Sequence, residues 1–321
     1  MINTIKGQLQ KFIGLEETYP KFTRELSSYS EGLSKASEFS SNDEIDIIMP
    51  SFNRVSVTKR AIEYILNTTK VKFNLIIVDN NSNKETKKYL KSISNKHTRV
   101  LFLHKNLGGS GSRMEGLKIS KSSLVAFVDN DIFPMPYYFE NLISTLNKNP
   151  QVSAVQSKVV FPNKLIQINR PYFKEKDGWI EFYDKDIDKQ FNDKTTEVSE
   201  NINWMPSGAT MWRRSVFENL NFDGDFNTSY EDNEFSYRIG KSGIKFMNNH
   251  RAVCLHLSST FTPSSVEKTY TESRFGNKVV LNSLKQFKLK HGLLLSFGPK
   301  EKFLEHMGFK TEEEYEKAIM Q

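Results

Sequence analysis

The stretch Leu124-Val125-Ala126-Phe127-Val128-Asp129-Asn130-Asp131 ends five apolar residues with two closely spaced carboxylates. An uninterrupted apolar run of this length predicts a strand that is buried on both faces, as in a parallel sheet covered by helices. Carboxylate oxygens at the tip of such a strand suit Mg²⁺ or Mn²⁺ held against a diphosphate. The alternative is a polar turn that only closes the strand. The rest of the chain decides between these two interpretations.

Strand and helix patterns alternate from about residue 44, which predicts a layered α/β domain with a mostly parallel sheet. Four apolar runs are predicted strands, and apolar residues at helical spacing or polar helical segments follow the first three. The predicted strands are 45–49, 73–78, 99–103 and 124–128.

Ligands collect at the carboxyl ends of the strands in sheets of this kind. Each predicted strand is followed by a polar or glycine-rich segment, and we expect all four segments to lie on one rim of the sheet. They are Pro50-Ser51-Phe52-Asn53-Arg54, Asp79-Asn80-Asn81-Ser82, residues 106–111 and Asp129-Asn130-Asp131.

The remaining residues extend this core at both ends. Residues 1–43 combine an apolar start with Ser-rich sequence and are predicted to be an extension and a linker. Residues 44–262 form the predicted α/β domain, divided into halves 44–132 and 133–262, with a long polar and aromatic excursion over 161–203. Residues 263–321 have a helical, basic pattern and form the predicted C-terminal region.

Composition and charge narrow the class of protein. A hydrophobic content of 37% over 321 residues is enough for a folded core, and the single cysteine, Cys254, excludes an internal disulfide framework or a cysteine-rich zinc site. No stretch approaches the roughly 20 apolar residues that span a bilayer, and residues 1–10 lack the apolar centre of a signal peptide, so we expect a cytoplasmic protein. The net charge of +7 favours an anionic partner. Nucleic acid is not expected, because aromatic residues do not interleave with a basic stripe.

Two strand ends carry residues suited to a nucleotide. Asp79 follows the apolar run 75–78, so its carboxylate can accept a hydrogen bond from the N3–H of uracil or thymine; an Asx turn within 79–82 is the alternative. Residues 106–113, Asn-Leu-Gly-Gly-Ser-Gly-Ser-Arg, precede a predicted helix, and their glycines let backbone N–H groups approach a phosphate or a sugar. Arg113 can add a charge-assisted hydrogen bond.

A second acidic cluster lies much further along the chain. Tyr230-Glu231-Asp232-Asn233-Glu234-Phe235 predicts the start of a helix, where acidic residues also serve as simple N-terminal caps. The functional interpretation is that Asp232 faces the metal site as a general base. His256 follows a predicted short strand, 252–255, and is a candidate to complete the metal shell through a ring nitrogen.

The ordered set of segments resembles the family 2 glycosyltransferases of GT-A fold over residues 44–261. Within that family, residues 106–111, 129–131, 231–232 and Cys254-Leu255-His256-Leu257 are most similar to bacterial galactofuranosyl- and rhamnosyltransferases. Asn130 departs from the three-aspartate form of the galactofuranosyl enzymes. Residues 231–234 also resemble the chondroitin-type polymerising transferases, which use UDP-GlcNAc-type donors.

The resemblance implies a metal-dependent, inverting glycosyltransferase of bacterial surface polysaccharide synthesis. It would move a sugar from a UDP-sugar or a dTDP-sugar to a hydroxyl of a glycan or lipid-linked acceptor. By the same resemblance, Asp131 would hold Mn²⁺ or Mg²⁺ with His256, and Asp129 would do so directly or through water. Neutralising the departing diphosphate is the role expected of the cation.

The resemblance also implies roles for the other residues. Asp232 would take the proton from the acceptor hydroxyl, with Glu231 as the second candidate base. The acceptor would lie against Trp204, Ser207 and Gly208. The nucleotide sugar would contact Pro50, Ser51, Phe52, Asn53, Arg54, Asp79, Asn80, Asn106, Gly108, Gly109, Arg113, Asp129 and Asn130.

Two other functions use similar residues. A sugar nucleotidyltransferase also pairs aspartates with Mg²⁺, but it would place its glycine-rich loop directly after the first strand, where this chain has residues 50–54. A non-catalytic carbohydrate-binding protein on the same fold would not need both Asp232 and the metal ligands.

The basic C-terminal region raises the question of membrane contact. A lipid-linked acceptor would require peripheral association with the inner face of the membrane, through cations such as Lys288 and Lys290 and apolar anchors. The proposed cations are Lys268, Arg274, Lys278, Lys285, Lys288, Lys290, Lys300 and Lys302, and the anchors are Phe287, Leu293, Leu294, Leu295 and Phe297. In the alternative, the lysines solvate a helical face and the leucines pack on the main domain. The sequence leaves the oligomeric state open.

Overall fold

The structure is a computed structural model that describes residues 15–34, 43–226, 229–258 and 277–321. The predicted apolar start of the chain, the linker over 35–42, and Lys268 and Arg274 of the predicted basic region lie outside these residues.

Strands and helices alternate through the first half of the chain, as the sequence predicts. The described helices are α1 Leu15–Ser34, α2 Val55–Thr68, α3 Lys84–Ile93, α4 Gly108–Ile119, α5 Tyr138–Lys148, α6 Glu231–Lys241, α7 Asn277–His291, α8 Lys300–Met307 and α9 Glu312–Met320. The described strands are β1 Glu44–Ser51, β2 Lys72–Asp79, β3 Thr98–Phe102, β4 Leu124–Val128, β5 Ile132–Pro134, β6 Val152–Val160, β7 Ile166–Ile168, β8 Pro171–Lys176, β9 Trp179–Asp184, β10 Asn201–Ile202, β11 Ala209–Arg213, β12 Lys245–His256 and β13 Leu294–Phe297.

The main sheet has the strand order β10-β12-β6-β11-β4-β1-β2-β3, with β5 paired to β12 and β7 paired to β6. The strands β4, β1, β2 and β3 run parallel, so their carboxyl ends meet at one edge. β11 lies antiparallel between β4 and β6, and therefore begins at the edge where β4 ends. This mixed α/β sheet with helices is the predicted fold class.

Both faces of the parallel strands are covered, which explains why they read as continuous apolar runs. In β1, Ile45, Ile47 and Met49 belong to one core cluster, whereas Ile48 belongs to the cluster on the opposite face. Residues two apart share a face of a strand, so the alternate residues of each apolar run pack into the two cores on opposite faces of the sheet. Cys254 is fully buried, as predicted for a core residue, and burial raises the pKa of its thiol to about 12.

Three segments differ from their sequence-based predictions. The glycine-rich segment is the first turn of α4, which begins at Gly108, and is not a loop. β12 begins at Lys245 and includes the polar residues Asn248 and Asn249, although only 252–255 was predicted. The serines of residues 27–34 lie in α1, which packs Phe22 and Leu26 into the main core.

The excursion 161–203 and the C-terminal region build a second sheet together. Its order is β13-β9-β8, with β13 parallel to β9. The C-terminal region was predicted to be helical, and β13 is an exception to that prediction. Phe287, Leu294 and Leu295, proposed as membrane anchors, are buried in the core cluster beneath this sheet. That part of the anchor hypothesis is wrong, and the packing alternative holds for these three residues.

Candidate active site

The turn after β1 is hydrogen-bonded to the turn after β2. Asn53 and Arg54 both have φ 54°, a left-handed conformation that reverses the chain before α2. The Asn53 N–H donates to Ser82 Oγ at 2.8 Å, and the Asn83 N–H donates to Asn53 Oδ1 at 2.8 Å. Ser51, the last residue of β1, keeps a buried hydroxyl that has no hydrogen-bond partner among the described residues. Pro50 and Phe52 flank it and are partly exposed.

The side chains of Asp79 and Asn80 serve the turns around them. Asp79 is fully buried and accepts from the Ser82 N–H at 3.3 Å, so the predicted alternative of a local turn is formed. Asn80 Nδ2 donates to Asn106 Oδ1 at 2.7 Å, and Asn80 Oδ1 accepts from the Leu107 N–H at 2.7 Å. The end of β2 therefore holds the start of α4 in place.

The start of α4 has no room for a side chain at position 109. A Cβ on Gly109 would lie 2.9 Å from Arg113 Nη1 and 3.2 Å from Glu231 Oε1. Real Cβ atoms rarely have contacts this short, so glycine permits Arg113 and Glu231 to approach the same point of the helix. Glu231 is 4% exposed and Arg113 is 2% exposed.

Asp129 is held between Arg113 and Gly208. Arg113 Nη2 lies 2.6 Å from Asp129 Oδ1, and a Cβ on Gly208 would lie 2.3 Å from Asp129 Oδ2. The Asp129 N–H also donates to Gly208 O at 2.9 Å, where β4 ends and β11 begins. The middle residue, Asn130, faces away from this pair and donates to Thr58 Oγ1 on α2 at 2.8 Å.

Asp131 forms a buried ion pair with Arg54, which sequence reasoning assigned to the base-binding turn. Arg54 Nη1 lies 2.6 Å from Asp131 Oδ2, and Arg54 Nη2 donates to Leu257 O at 3.1 Å. Burial favours a high pKa for Asp131, but the charges of His256 and Arg54 and their hydrogen bonds outweigh it. The pKa of Asp131 is therefore held well below its usual range.

His256 lies beside the same carboxylate. Its Nε2 is 3.6 Å from Asp131 Oδ2, and its Nδ1–H donates to Gln167 Oε1 at 2.6 Å. In the neutral imidazole, this hydrogen bond places the proton on Nδ1 and the lone pair on Nε2, which is the arrangement that ligates metals. Phe161 stacks on the imidazole with ring centroids 5.7 Å apart. Gln167 and Phe161 come from the excursion, and no sequence motif marked them.

Asp131 and His256 are two adjacent candidate ligands for a cation, and substrate and water would have to supply the others. Two protein ligands side by side suit Mg²⁺ or Mn²⁺, which commonly retain waters and bind substrate phosphates. Within residues 15–34, 43–226, 229–258 and 277–321, no group of three or more His, Cys, Asp or Glu side chains is close enough to hold a metal by itself. Asp129 is turned towards Arg113, so any contribution from it is through water or after a rearrangement.

Asp232 is positioned from the segment that precedes β11. It lies half-buried in the first turn of α6, and its Oδ1 accepts a hydrogen bond from Ser207 Oγ. Ser236, one turn further along α6, donates to Met205 O at 2.7 Å and accepts from the Met205 N–H at 3.2 Å. The helix and the segment are thus fixed to each other.

Trp204 is buried and is not exposed at the surface of the site. It is 4% exposed, its Nε1–H donates to Tyr183 O at 3.1 Å, and its ring packs against Phe182 and Phe297. The structure therefore does not present the Trp204 ring face that the resemblance assigned to a sugar.

Two of the lysines proposed as membrane contacts in the C-terminal region, Lys288 and Lys290, have acidic partners. Lys288 pairs with Glu316 at 3.0 Å, and Lys290 pairs with Asp223 and Asp225 at 2.5 and 2.7 Å. Among the residues that the structure describes, no helix combines the length and the hydropathy required to cross a membrane.

Comparison with known proteins matches this fold and site to one family. Residues 46–220 match the family description "Glycosyl transferase family 2", which covers more than half of the chain. The chain belongs to this family. The family match agrees with the predicted family, whereas the finer likeness to galactofuranosyl- and rhamnosyltransferases is not shown.

Two relatives show how far the similarity extends. An uncharacterized glycosyltransferase of Methanocaldococcus jannaschii is 26% identical over 206 residues, which are 63% of this chain and 66% of the relative. A GalNAc(5)-diNAcBac-PP-undecaprenol beta-1,3-glucosyltransferase of Campylobacter jejuni is 27% identical over 192 residues, 57% of this chain and 56% of the relative. The chain thus spans less than two thirds of either relative.

A solved structure supports the GT-A fold. GalNAc-T7, crystallised with UDP, GalNAc and Mn²⁺, superposes with a TM-score of 0.54 at 14% identity, covering 85% of this chain and 56% of that one. At this identity the similarity speaks for the fold alone.

Proposed function

We propose that this chain is a metal-dependent, inverting glycosyltransferase that moves a sugar from a nucleotide diphosphate to an acceptor hydroxyl. The observation that carries the proposal is the placement of two adjacent residues. Ser207 binds the carboxylate of Asp232, while Gly208 packs against the carboxylate of Asp129. The candidate base and the acidic strand end therefore flank one short segment, as a reaction between donor and acceptor requires.

The donor occupies the edge formed by the carboxyl ends of β1, β2 and β4. The turn 50–54 and Asp79 hold the uracil or thymine, and the Ser51 hydroxyl, which has no hydrogen-bond partner among the described residues, offers a donor and an acceptor there. Arg113 and the N-terminus of α4 carry the charge that binds phosphate. Asn80, Asn106, Gly108 and Gly109 shape this end of the helix. In this proposal residues 44–132 are the donor half and 133–262 the acceptor half of the domain 44–262, with 1–43 and 263–321 appended.

Asp131 and His256 would hold Mn²⁺ or Mg²⁺, with Asp129 as a further candidate ligand. A cation bound there would supply positive charge to the leaving diphosphate. Gln167 fixes the tautomer of His256 that can bind it. Arg54 supplies the positive charge that Asp131 needs when no cation is bound.

Asp232 removes the proton from the acceptor hydroxyl. The hydroxyl oxygen attacks the anomeric carbon as the bond to the diphosphate oxygen breaks, and the proton passes to the carboxylate. Attack from the face opposite the nucleotide inverts the anomeric configuration. Ser207 orients the carboxylate, and general-base assistance of this kind is worth roughly 10²- to 10⁴-fold in rate. Glu231 is buried against Gly109 and is the less accessible of the two acids.

The acceptor is a glycan hydroxyl, and the first candidate is a sugar on a polyprenyl diphosphate at the cytoplasmic face of the membrane. The name of the Campylobacter relative, a glucosyltransferase acting on an undecaprenol-linked glycan, supports this class and glucose as the first donor to test. Galactofuranose and rhamnose donors are also to be tested, because of the motif resemblance. Surface polysaccharide synthesis is the corresponding pathway.

A thermal-shift panel tests the donor side. UDP-glucose, UDP-galactofuranose, dTDP-rhamnose and GDP-mannose are each added with Mn²⁺ or with EDTA. One uridine or thymidine donor should raise the unfolding temperature only with Mn²⁺, because binding at one hundred times the dissociation constant adds about 2.7 kcal/mol to stability. Stabilisation by no nucleotide sugar, or equal stabilisation in EDTA, would overturn the proposal.

A further inference from the structure

Phe297 is an exposed aromatic ring on an otherwise buried strand. It ends β13, whose preceding residues Leu294, Leu295 and Ser296 are buried, and it is 47% exposed. Among the described residues, the other large apolar side chains that are exposed are Leu66, Ile187, Val198, Leu289 and Met320, and none of these is aromatic. β13 is the edge strand of the second sheet, so the exposed part of this ring is open to a ligand, and its neighbours decide whether that exposure has a function.

The ring touches both segments that hold Asp232. Tyr230 stacks on Phe297 with centroids 5.6 Å apart and ring planes 30° apart, and it directly precedes Glu231 and Asp232. Trp204 meets Phe297 edge-on at 6.5 Å, three residues before the Ser207 that binds Asp232. Phe297 therefore contacts the two segments that carry the proposed base and its hydrogen-bond partner, at Tyr230 and at Trp204.

The backbone under the ring is fixed. Phe297 pairs with Phe182 in the parallel ladder of β13 and β9, and the Gly298 N–H donates to Phe182 O at 2.8 Å. Ser296 Oγ also donates to Gly298 O at 3.0 Å. The ring is thus presented by a rigid element, which lowers the entropic cost of binding on it.

We propose that Phe297 is the platform on which the sugar ring of the acceptor stacks during transfer. The apolar C–H face of a pyranose would cover the exposed side of the phenyl ring, leaving the hydroxyls at the rim of the sugar free to reach Asp232. Tyr230 and Trp204 back the platform from the protein side. This inference rests on the proposed function, since it takes Asp232 as the base. β13 lies outside the matched residues 46–220, so the platform belongs to the part of this chain beyond the family match.

The test separates acceptor binding from donor chemistry in Phe297→Ala, Phe297→Leu and Phe297→Trp. The probe acceptors are p-nitrophenyl glycosides of glucose, galactose and N-acetylglucosamine, together with an N-acetylglucosaminyl diphosphate on a short alkyl chain. Donor hydrolysis without acceptor and transfer with acceptor are both measured. Leu289→Ala is the matched control, because Leu289 is a large apolar residue that is 56% exposed on α7.

We expect Phe297→Ala to raise the KM for the acceptor about tenfold, the scale of one lost aromatic contact, with donor hydrolysis unchanged. Phe297→Trp should restore the KM, and Phe297→Leu should not, because it keeps the apolar surface without the flat face. A KM for Phe297→Ala within twofold of the parent, or an equal rise in Leu289→Ala, would overturn the platform. If the parent chain neither hydrolyses nor transfers from any donor of the panel, the proposed function itself fails.

Discussion

Arg54 Nη1 lies 2.6 Å from Asp131 Oδ2, and both side chains are almost completely buried. The guanidinium also donates to Leu257 O, the residue after His256. One side chain therefore joins the turn after β1, the turn after β4 and the end of β12. The edge that we assign to the donor is held together before any ligand binds.

Arg54→Ala should lower the free energy of unfolding by about 3 kcal/mol, because breaking a buried ion pair from one side leaves the other charge without compensation. Urea denaturation followed by circular dichroism measures the change. Lys59→Ala, at an exposed position of α2, the helix that follows Arg54, should shift stability by no more than about 0.5 kcal/mol. Equal losses in the two variants would contradict the structural role of Arg54.

The low pKa of Asp131 predicts a specific dependence of stability on pH. A carboxyl whose pKa is lower in the folded state stabilises the protein fully above its unfolded pKa of about 3.9. That contribution is lost as the pH falls towards the folded pKa. The stability advantage of the parent over Asp131→Asn should therefore be largest near pH 6 and shrink steadily below about pH 4. An advantage that stays constant from pH 6 to pH 3 would show that the charge of Asp131 is not the cause.

Gly208→Ala should disturb Asp129, since the added methyl group would lie 2.3 Å from Asp129 Oδ2. The carboxylate must move or the strand must shift, at a cost of about 1 to 3 kcal/mol for such overpacking. We expect a loss of donor affinity of at least about tenfold, the equivalent of 1.4 kcal/mol, in calorimetric titration. Gly224→Ala is the control, because nothing lies within 4 Å of its Cβ position. Unchanged donor affinity in Gly208→Ala would remove Asp129 from the donor site.

Asp131 and His256 should account for the dependence of nucleotide-sugar binding on Mn²⁺. His256→Ala should bind the nucleotide sugar as weakly in Mn²⁺ as the parent does in EDTA, because a neutral methyl group offers no ligand. His104→Ala, at an exposed site after β3, should keep the response to Mn²⁺. Transfer by His256→Ala that resists EDTA and matches the parent rate would contradict this assignment.

The strands of residues 44–132 were predictable because each of them contains a run of consecutive apolar residues. The run 124–128 is the strand β4, and 84–93 is the helix α3, since apolar periodicity and flanking polar residues are both read within a few residues. The first turn of α4 was predicted as a loop because glycine disfavours helices in general. Its glycines are required by partners far away in the chain, such as Glu231 beside Gly109.

The contacts that assemble the site could not be read from the sequence. Arg54 meets Asp131, and Gln167 meets His256, only after the sheet has formed. The first part of β12 was not predicted because it contains the polar residues Asn248 and Asn249. Their side-chain amides donate to groups far away in the sequence, Val198 O and Asn141 O. Likewise, β13 has the composition of a helical tail, and its partner β9 lies in the excursion.

The central claim is that Asp232 is the base for transfer, and Asp232→Asn tests it most directly. The amide keeps the shape of the side chain and a contact to Ser207, but it cannot take the proton. Transfer rate and donor affinity are measured in parallel, with Asp188→Asn, an exposed position, as the control. We predict unchanged donor affinity and a loss in kcat of roughly 10²- to 10⁴-fold. Turnover within about tenfold of the parent would be too fast for the loss of a general base, and would contradict the account.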